Sequence, residues 1–184
     1  MADEQQPESK FLKSGRNRRT ENAGLAVLLR DERYQVLPVD VKRAVLAELG
    51  APDAPHQEFD AIRTDEPAAP VTASTLHAMA PSIRLVEMKT TRKPIRDSRL
   101  HGFFFGVTES ELTLAERLAD RYLFAFVVLS NLNIYGTEFF TLLTADQLNE
   151  RIHSKRTQYQ VTLVRTAREV TAPYGTGPGV LIEL

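Results

Sequence analysis

Apolar residues follow two different spacings along this chain, and together the spacings predict an alternation of helices and strands. Apolar positions three and four residues apart are typical of a helix that buries one face. They predict helices over residues 20–32, 41–49 and 109–121, and a further helix that begins after Thr144. Short alternating or continuously apolar runs predict strands over residues 58–62, 83–91, 100–107, 122–129, 139–143 and 158–164.

Two of these runs indicate where a strand lies in a sheet. Residues 122–129 are almost continuously apolar, as expected for a central strand that is buried on both faces. Residues 158–164 alternate between polar and apolar, which is typical of a half-exposed edge strand.

Residues 64–82 contain three prolines and are long for a loop, so they form either a mobile flap or a short helix near residues 73–80.

Capping residues mark several helix ends. Thr20 is the predicted N-cap of the first helix, which would bury Leu25, Leu28 and Leu29 on one face. Gly50 is the predicted end of the second helix, because glycine readily adopts the left-handed conformation found there. Two later helices begin with the capping-box pattern: Thr108 with Glu111, and Thr144 with Gln147.

Length and composition indicate one folded domain. The chain has 184 residues, of which 42% are hydrophobic and 26% are charged, enough for a substantial core. We expect a disordered polar tail over residues 1–13, a single domain over 14–172 and a C-terminal arm over 173–184. Zero cysteines exclude disulfides and thiolate metal sites. The sequence contains no membrane-length apolar stretch or signal peptide, so we expect a cytoplasmic protein with no membrane partner.

Charged residues occupy two of the predicted strands, where a core strand would normally be apolar. Asp60 lies in the first of them, and Glu87 and Lys89 lie in the segment 83–91. Side chains on a strand alternate between faces, so Glu87 and Lys89 point the same way and Met88 points the opposite way. A carboxylate and an ammonium group therefore share one surface.

These residue types suit metal-dependent hydrolysis of a phosphodiester. One or two Mg²⁺ ions held by carboxylates can activate a water and neutralise charge on the phosphate. Asp60 and Glu87, with a backbone carbonyl such as that of Met88, provide the oxygen ligands that Mg²⁺ prefers. Lys89 would orient or help to deprotonate the attacking water.

A third carboxylate, Glu21, begins the first predicted helix. It stands four residues before Leu25, so it lies over the buried stripe of that helix. A glutamate in a first turn also complements the helix dipole, and that structural role is an equal alternative when Glu21 is considered alone.

Net charge argues against strong general attraction to nucleic acid. The formal charge is -1 and the pI is near 6.4, whereas DNA-binding domains are usually basic. Two basic groups nevertheless flank the carboxylates and would contact phosphates if the fold brings them to the site: Arg16, Arg18 and Arg19, and Arg92, Lys93 and Arg96. A third group, around Arg151, fits solvated surface equally well.

The order of these motifs resembles a known nuclease superfamily. Gly15-Arg-Asn-Arg-Arg-Thr-Glu21, Phe59-Asp-Ala-Ile62 and Val86-Glu-Met-Lys-Thr-Thr91 are similar to the motifs of PD-(D/E)XK nucleases. The segment from Phe103 to Phe124 is similar, more narrowly, to the NO VEIN C-terminal-domain family found near bacterial restriction and defence genes. This chain has Ser110 and Leu112 where that family usually has Asn and Trp.

The resemblance implies an α/β, three-layer, restriction-endonuclease-like fold with a central mixed β-sheet flanked by helices. It implies that Asp60 and Glu87 bind Mg²⁺ or Mn²⁺, that Lys89 positions the water, and that Glu21 joins the metal site. The expected function is a Mg²⁺-dependent DNA endonuclease in restriction or phage defence, working as a homodimer or as a subunit of a larger complex. One alternative is a non-catalytic nucleic-acid-binding or scaffold module with the same fold. Another is a domain that binds a protein partner and whose Glu87 and Lys89 form a cross-strand ion pair.

Overall fold

Strands and helices alternate along the chain in the computed structural model, which describes residues 15–67, 69–95, 100–132 and 135–151, with backbone only for 15–17. The strands are β1 (Tyr34–Gln35), β2 (Ala61–Arg63), β3 (Arg84–Thr91), β4 (Tyr122–Val128) and β5 (Phe139–Leu143). The helices are α1 (Gly15–Leu28), α2 (Val39–Glu48), α3 (Leu76–Met79), α4 (Glu109–Leu118) and α5 (Ala145–Asn149). The predicted tail 1–13, strand 158–164 and arm 173–184 lie outside the described residues.

The strands form one mixed sheet in the order β1-β2-β3-β4-β5. Neighbouring strands are antiparallel except for β3 and β4, which are parallel and pair from Leu85 with Tyr122 to Thr91 with Val128. Parallel neighbours need a crossover connection, and helix α4 provides it. The sheet confirms the predicted mixed strand directions.

Helices cover both faces of the sheet and produce three layers. Residues of α2, α4 and α5 pack with Leu85, Phe124 and Phe126 on one face. On the other face, Val27 and Leu28 of α1 pack with alternate residues of β3 and β4. The predicted three-layer α/β class is therefore confirmed.

The predicted central strand and three of the predicted helix ends are also confirmed. Every residue of β4 is buried, as its continuous apolar run requires. Helix α2 ends at Glu48 with Leu49 as its C-cap, and Gly50 follows with a φ of +82°. The reciprocal bonds of a capping box are present at both predicted helix starts, Thr108 with Glu111 and Thr144 with Gln147. The segment 64–82 contains the short helix α3.

Helix α1 differs from the prediction at both ends. It begins at Gly15, so Thr20 lies inside the helix and is not its N-cap. Ala23 stands where a capping box would need Glu or Gln, and the arginines before Thr20 are good helix formers, so the helix extends backwards. It ends at Leu28, which leaves Leu29 42% exposed instead of buried.

The predicted strand over residues 100–107 is wrong. Leu100 and Gly102 have φ values of +62° and +80°, which turn the backbone at the start of this segment. Strand β3 pairs with β2 and β4, and β4 pairs with β3 and β5, so neither strand pairs with this segment. The segment packs over the sheet instead, through Phe103 and Phe105. Within the described residues, no helix is long and apolar enough to cross a membrane.

Gly24 lets helix α1 approach strand β3 closely. A Cβ atom at this position would lie 2.5 Å from Oγ1 of Thr90 and 2.9 Å from Sδ of Met88. Contacts this short do not occur between packed side chains, so only glycine fits. The approach matters for the site described below, because it places the first half of α1 beside the end of β3.

We expect Gly24→Ala to destabilise the protein by about 1–3 kcal/mol, because the added methyl group overpacks the contact between α1 and β3. Asn22→Ala is the matched control, since Asn22 is exposed on the same helix and its replacement should change stability by less than about 0.5 kcal/mol. Urea unfolding of both variants measures the difference. Equal stability of Gly24→Ala and wild type would contradict the close approach.

Candidate active site

A cleft of about 430 Å³ opens beside β3 at the point where β2 begins. Its lining includes all four residues predicted from the sequence to be catalytic: Glu21, Asp60, Glu87 and Lys89. Elements from both faces of the sheet contribute, since α1 supplies Thr20 and Glu21, and the segment before α4 supplies Phe104 and Phe105. Residues that are far apart in sequence therefore meet in one place.

The pairing of β2 with β3 sets the position of Asp60. Ala61 lies opposite Val86, and the Asp60 N–H donates to the Val86 carbonyl at 2.9 Å, so Asp60 stands opposite Glu87. The Asp60 Oδ2 atom accepts the Met88 N–H at 2.9 Å. If β2 were longer, its backbone would pair with β3 at this position instead. Like charges opposite each other weaken a sheet, so stabilisation of the fold does not explain why Asp60 stands opposite Glu87.

Lys89 connects strand β3 to helix α4. Its Nζ atom lies 2.8 Å from Glu87 Oε1, and 3.0 and 2.9 Å from Oε1 and Oε2 of Glu111. All three side chains are about nine-tenths buried, with exposed fractions of 11%, 9% and 10% for Lys89, Glu87 and Glu111. The Glu87–Lys89 ion pair therefore lies within one strand and extends to a helix, and is not a cross-strand pair.

Charge on Lys89 is favoured and charge on Glu87 is costly. Burial alone would lower the pKa of Lys89, but Glu87 and Glu111 together outweigh burial and raise that pKa. Burial, followed by repulsion from Asp60, raises the pKa of Glu87 well above its usual range, although Lys89 opposes this. Lys89 is thus a cation near neutral pH, and Glu87 is a carboxylate that lacks sufficient positive charge around it.

A second lysine supports the chain just before Asp60. Lys42 of α2 donates to the Phe59 carbonyl at 2.5 Å, and its Nζ atom lies 4.5 Å from the centre of the Phe59 ring. Burial lowers the pKa of Lys42, and attraction to Asp60 and Glu87 opposes that effect. The sequence gave no motif that would identify Lys42, because its contact with Phe59 depends on how α2 packs.

The oxygen donors of the cleft suit a site in which two carboxylates and a backbone carbonyl hold one hard cation. They do not form a site with three acidic ligands. Within the described part of the chain, no group of three or more His, Cys, Asp or Glu residues is arranged to hold a metal ion. Asp60 and Glu87 each use one carboxylate oxygen in the contacts above, and the carbonyl of Met88 points to the same side of β3 as the N–H that Asp60 accepts. Mg²⁺ needs few protein oxygens because it retains several waters.

Glu21 and the first basic group reach the cleft from helix α1. Glu21 is partly buried in the lining, while Arg18 and Arg19 are exposed within one turn of it. Arg92 donates from Nε to Oγ1 of Thr20 at 3.3 Å, so the second basic group meets α1 at the same cleft.

The other predicted phosphate contacts are only partly placed by the structure. Lys93 is exposed next to Arg92. The side chain of Arg16 and all of Arg96 lie outside the described residues, as do His153, Lys155 and Arg156 of the third group.

Glu111 is a member of the cluster that sequence reasoning missed. The sequence showed it only as the N3 residue of a capping box, and its Oε2 atom does accept the Thr108 N–H at 2.9 Å. The same carboxylate also holds Lys89. The available signal was the crossover itself, because a helix that joins two parallel strands packs over the face of the first one.

We expect Glu111→Gln to lower the free energy of unfolding by about 1.5–3 kcal/mol at neutral pH, because Lys89 loses a charged partner. The cap should survive, since Gln147 fills the same position in the capping box of α5. Glu116→Gln, an exposed position on the same helix, is the control and should be neutral to within about 0.5 kcal/mol. If both variants unfold at the same urea concentration, Glu111 does not hold Lys89.

We expect Glu87→Gln to remove a pH dependence of stability. The folded protein holds the Glu87 proton more tightly than the unfolded chain, so the free energy of unfolding falls as pH rises from the usual glutamate pKa to the raised one. Each unit of pKa elevation corresponds to about 1.4 kcal/mol. Urea unfolding in EDTA between about pH 4 and 9 measures this slope, with Glu116→Gln as control. An unchanged slope in Glu87→Gln would show that Glu87 is not its source.

Comparison with family models, with curated proteins and with solved structures finds no significant match. The chemistry of the cleft is therefore the main guide to function.

Proposed function

We propose that this protein is a Mg²⁺-dependent DNA endonuclease whose catalytic centre is the cleft around Asp60, Glu87 and Lys89. The observation that carries the proposal is the pair of like charges, half-buried Asp60 opposite buried Glu87, with the Lys89 ammonium beside Glu87. Perturbed, clustered ionisable groups in a cleft are typical of functional sites. A cation bound at the pair would offset both the burial of Glu87 and its repulsion from Asp60.

Asp60 and Glu87 would hold Mg²⁺ or Mn²⁺, with the Met88 carbonyl as a third oxygen. When bound, the ion would supply an acidified water and neutralise charge on the scissile phosphate. The cluster favours a cation in any case, because two carboxylates, Glu87 and Glu111, hold the Lys89 ammonium and a third, Asp60, repels Glu87.

Lys89 acts as a hydrogen-bond donor in this proposal, not as a base. Its pKa is raised, so it keeps its proton at neutral pH and can orient the attacking water or contact a phosphate oxygen. Glu111 positions the ammonium, since it accepts from Nζ with both oxygens. Glu21 would approach the ion from the opposite side of the cleft, through bound water.

Basic residues around the rim would bind the DNA backbone. Arg18, Arg19, Arg92 and Lys93 are exposed near the cleft, and the sequence adds Arg16 and Arg96 to this set. Contacts of this kind position the substrate and weaken with salt.

The three-layer α/β architecture is compatible with the PD-(D/E)XK resemblance, and that resemblance supplies the proposed setting. We place the protein in the cytoplasm, in restriction or phage defence, as a homodimer or as a subunit of a larger complex. A dimer would allow both strands of a duplex to be cut.

Binding without cleavage is the second candidate function. All three N–H groups of Lys89 can be satisfied by Glu87 and Glu111, which would leave none for a water or a phosphate. A non-catalytic nucleic-acid-binding or scaffold module would use the cluster as it stands.

We expect plasmid and single-stranded DNA to be cut in Mg²⁺ or Mn²⁺ but not in EDTA, and we expect Asp60→Asn and Lys89→Met to lower the rate by at least about 100-fold. Asp120→Asn, an exposed aspartate outside the cleft, is purified in parallel as the control and should cut normally. The ion should also raise the Tm of wild type, and Asp60→Asn should abolish that rise.

The two readouts separate the candidate functions. Cleavage that persists equally in Asp60→Asn comes from a contaminant and counts against the endonuclease. A Tm rise in Mg²⁺ and DNA binding without cleavage favour the non-catalytic module. No Tm rise, no binding and no cleavage would reject both.

A further inference from the structure

Phe104 is exposed beside the candidate active site. Its exposed fraction is 74%, and it belongs to the lining of the cleft that contains Asp60 and Glu87. The neighbouring phenylalanines are partly buried against the core. The three consecutive phenylalanines therefore do not share one role.

Packing of its neighbours holds Phe104 outward. The rings of Phe103 and Phe105 lie 5.1 and 4.9 Å from the ring of Phe126, both edge to face. In extended backbone the intermediate side chain points the opposite way, so Phe104 faces solvent. Gly106, also in the cleft lining, would have open space around an added Cβ, which leaves the mouth of the cleft clear next to the ring.

The two sides of the cleft carry complementary groups for a nucleotide. Phe104 lies on the side of the sheet covered by α4, while α1 on the other side holds Arg92 through Thr20. The carboxylates and Lys89 lie between them in the same lining. Sites for single-stranded nucleic acid combine cationic groups for the backbone with aromatic rings on which bases stack.

The size of the cleft and the requirements of stacking favour an unpaired nucleotide over a base-paired one. The cleft measures about 430 Å³, within the size of a pocket for a small ligand. A base inside a duplex has both faces covered by its neighbours, so it can stack on a protein ring only after it leaves the stack. An unpaired nucleotide meets no such obstacle.

We propose that Phe104 stacks on an unpaired base next to the cleavage site, so that the preferred substrate is single-stranded or frayed DNA at that point. This inference rests on the proposed function and makes its substrate class specific. Removing the ring should weaken binding of a single strand by about 5- to 100-fold and leave duplex binding nearly unchanged.

The chain contains no tryptophan, so Phe104→Trp creates a single fluorescent probe at the ring position. In EDTA and low salt, a short single strand of mixed sequence should quench this fluorescence, and the blunt duplex of the same sequence should not. Leu132→Trp is the matched control, because Leu132 is 82% exposed and lies outside the cleft lining. Phe104→Ala and Phe104→Tyr are compared with wild type by anisotropy on the same labelled strands, and Tyr should retain single-strand binding.

Several results would overturn the inference. Equal quenching of Phe104→Trp and Leu132→Trp would indicate non-specific contact. Unchanged single-strand binding by Phe104→Ala, in a protein whose wild type binds DNA or cuts it with Mg²⁺, would reject the stacking role and leave the endonuclease intact. Loss of single-strand and duplex binding together would indicate a general contact instead of stacking. If wild type neither binds nor cuts DNA, the proposed function fails and this inference fails with it.

Discussion

The buried ammonium of Lys89 is the interaction on which the cleft depends. It ties strand β3 to helix α4 through Glu111 and lies within 2.8 Å of Glu87 on its own strand. Without it, three carboxylates would face one another in a region shielded from water, and such a cluster would open the fold or take up protons. The same contact sets the first turn of α4, because Glu111 also completes the capping box with Thr108.

Burial, followed by repulsion from Asp60, raises the pKa of Glu87 although the Lys89 ammonium opposes both, so one ammonium does not fully compensate the cluster. A protein selected only for stability would replace such a pair with apolar residues of similar size. Charge of this kind at the end of a short strand is typical of sites that sacrifice stability for chemistry. The close approach of α1 at Gly24 has a related effect, since it brings Glu21 to the same cleft.

Local patterns predicted much of the fold. The apolar run of β4, the capping boxes of α4 and α5, and the opposite directions of Lys89 and Met88 are each decided by residues that lie close together in the sequence. The errors were of another kind. The strand expected over residues 100–107 has suitable residues, but its backbone turns at Leu100 and Gly102 and its rings pack over the sheet, and which segments pair is a property of the whole sheet.

The features of the candidate site also divide into those that local sequence predicts and those that depend on tertiary packing. The sequence by itself determined that Glu87 and Lys89 stand in a strand where charge is unfavourable and that they share a face. It also predicted Asp60 inside a strand, whereas the structure places Asp60 just before β2. Only the tertiary structure decided that Glu111 holds Lys89, that Lys42 supports the residue before Asp60, and that Phe104 is exposed while its neighbours are packed. The physical reason is distance along the chain. Alternation on a strand is local, whereas each of these contacts depends on how a helix or loop packs against a distant strand.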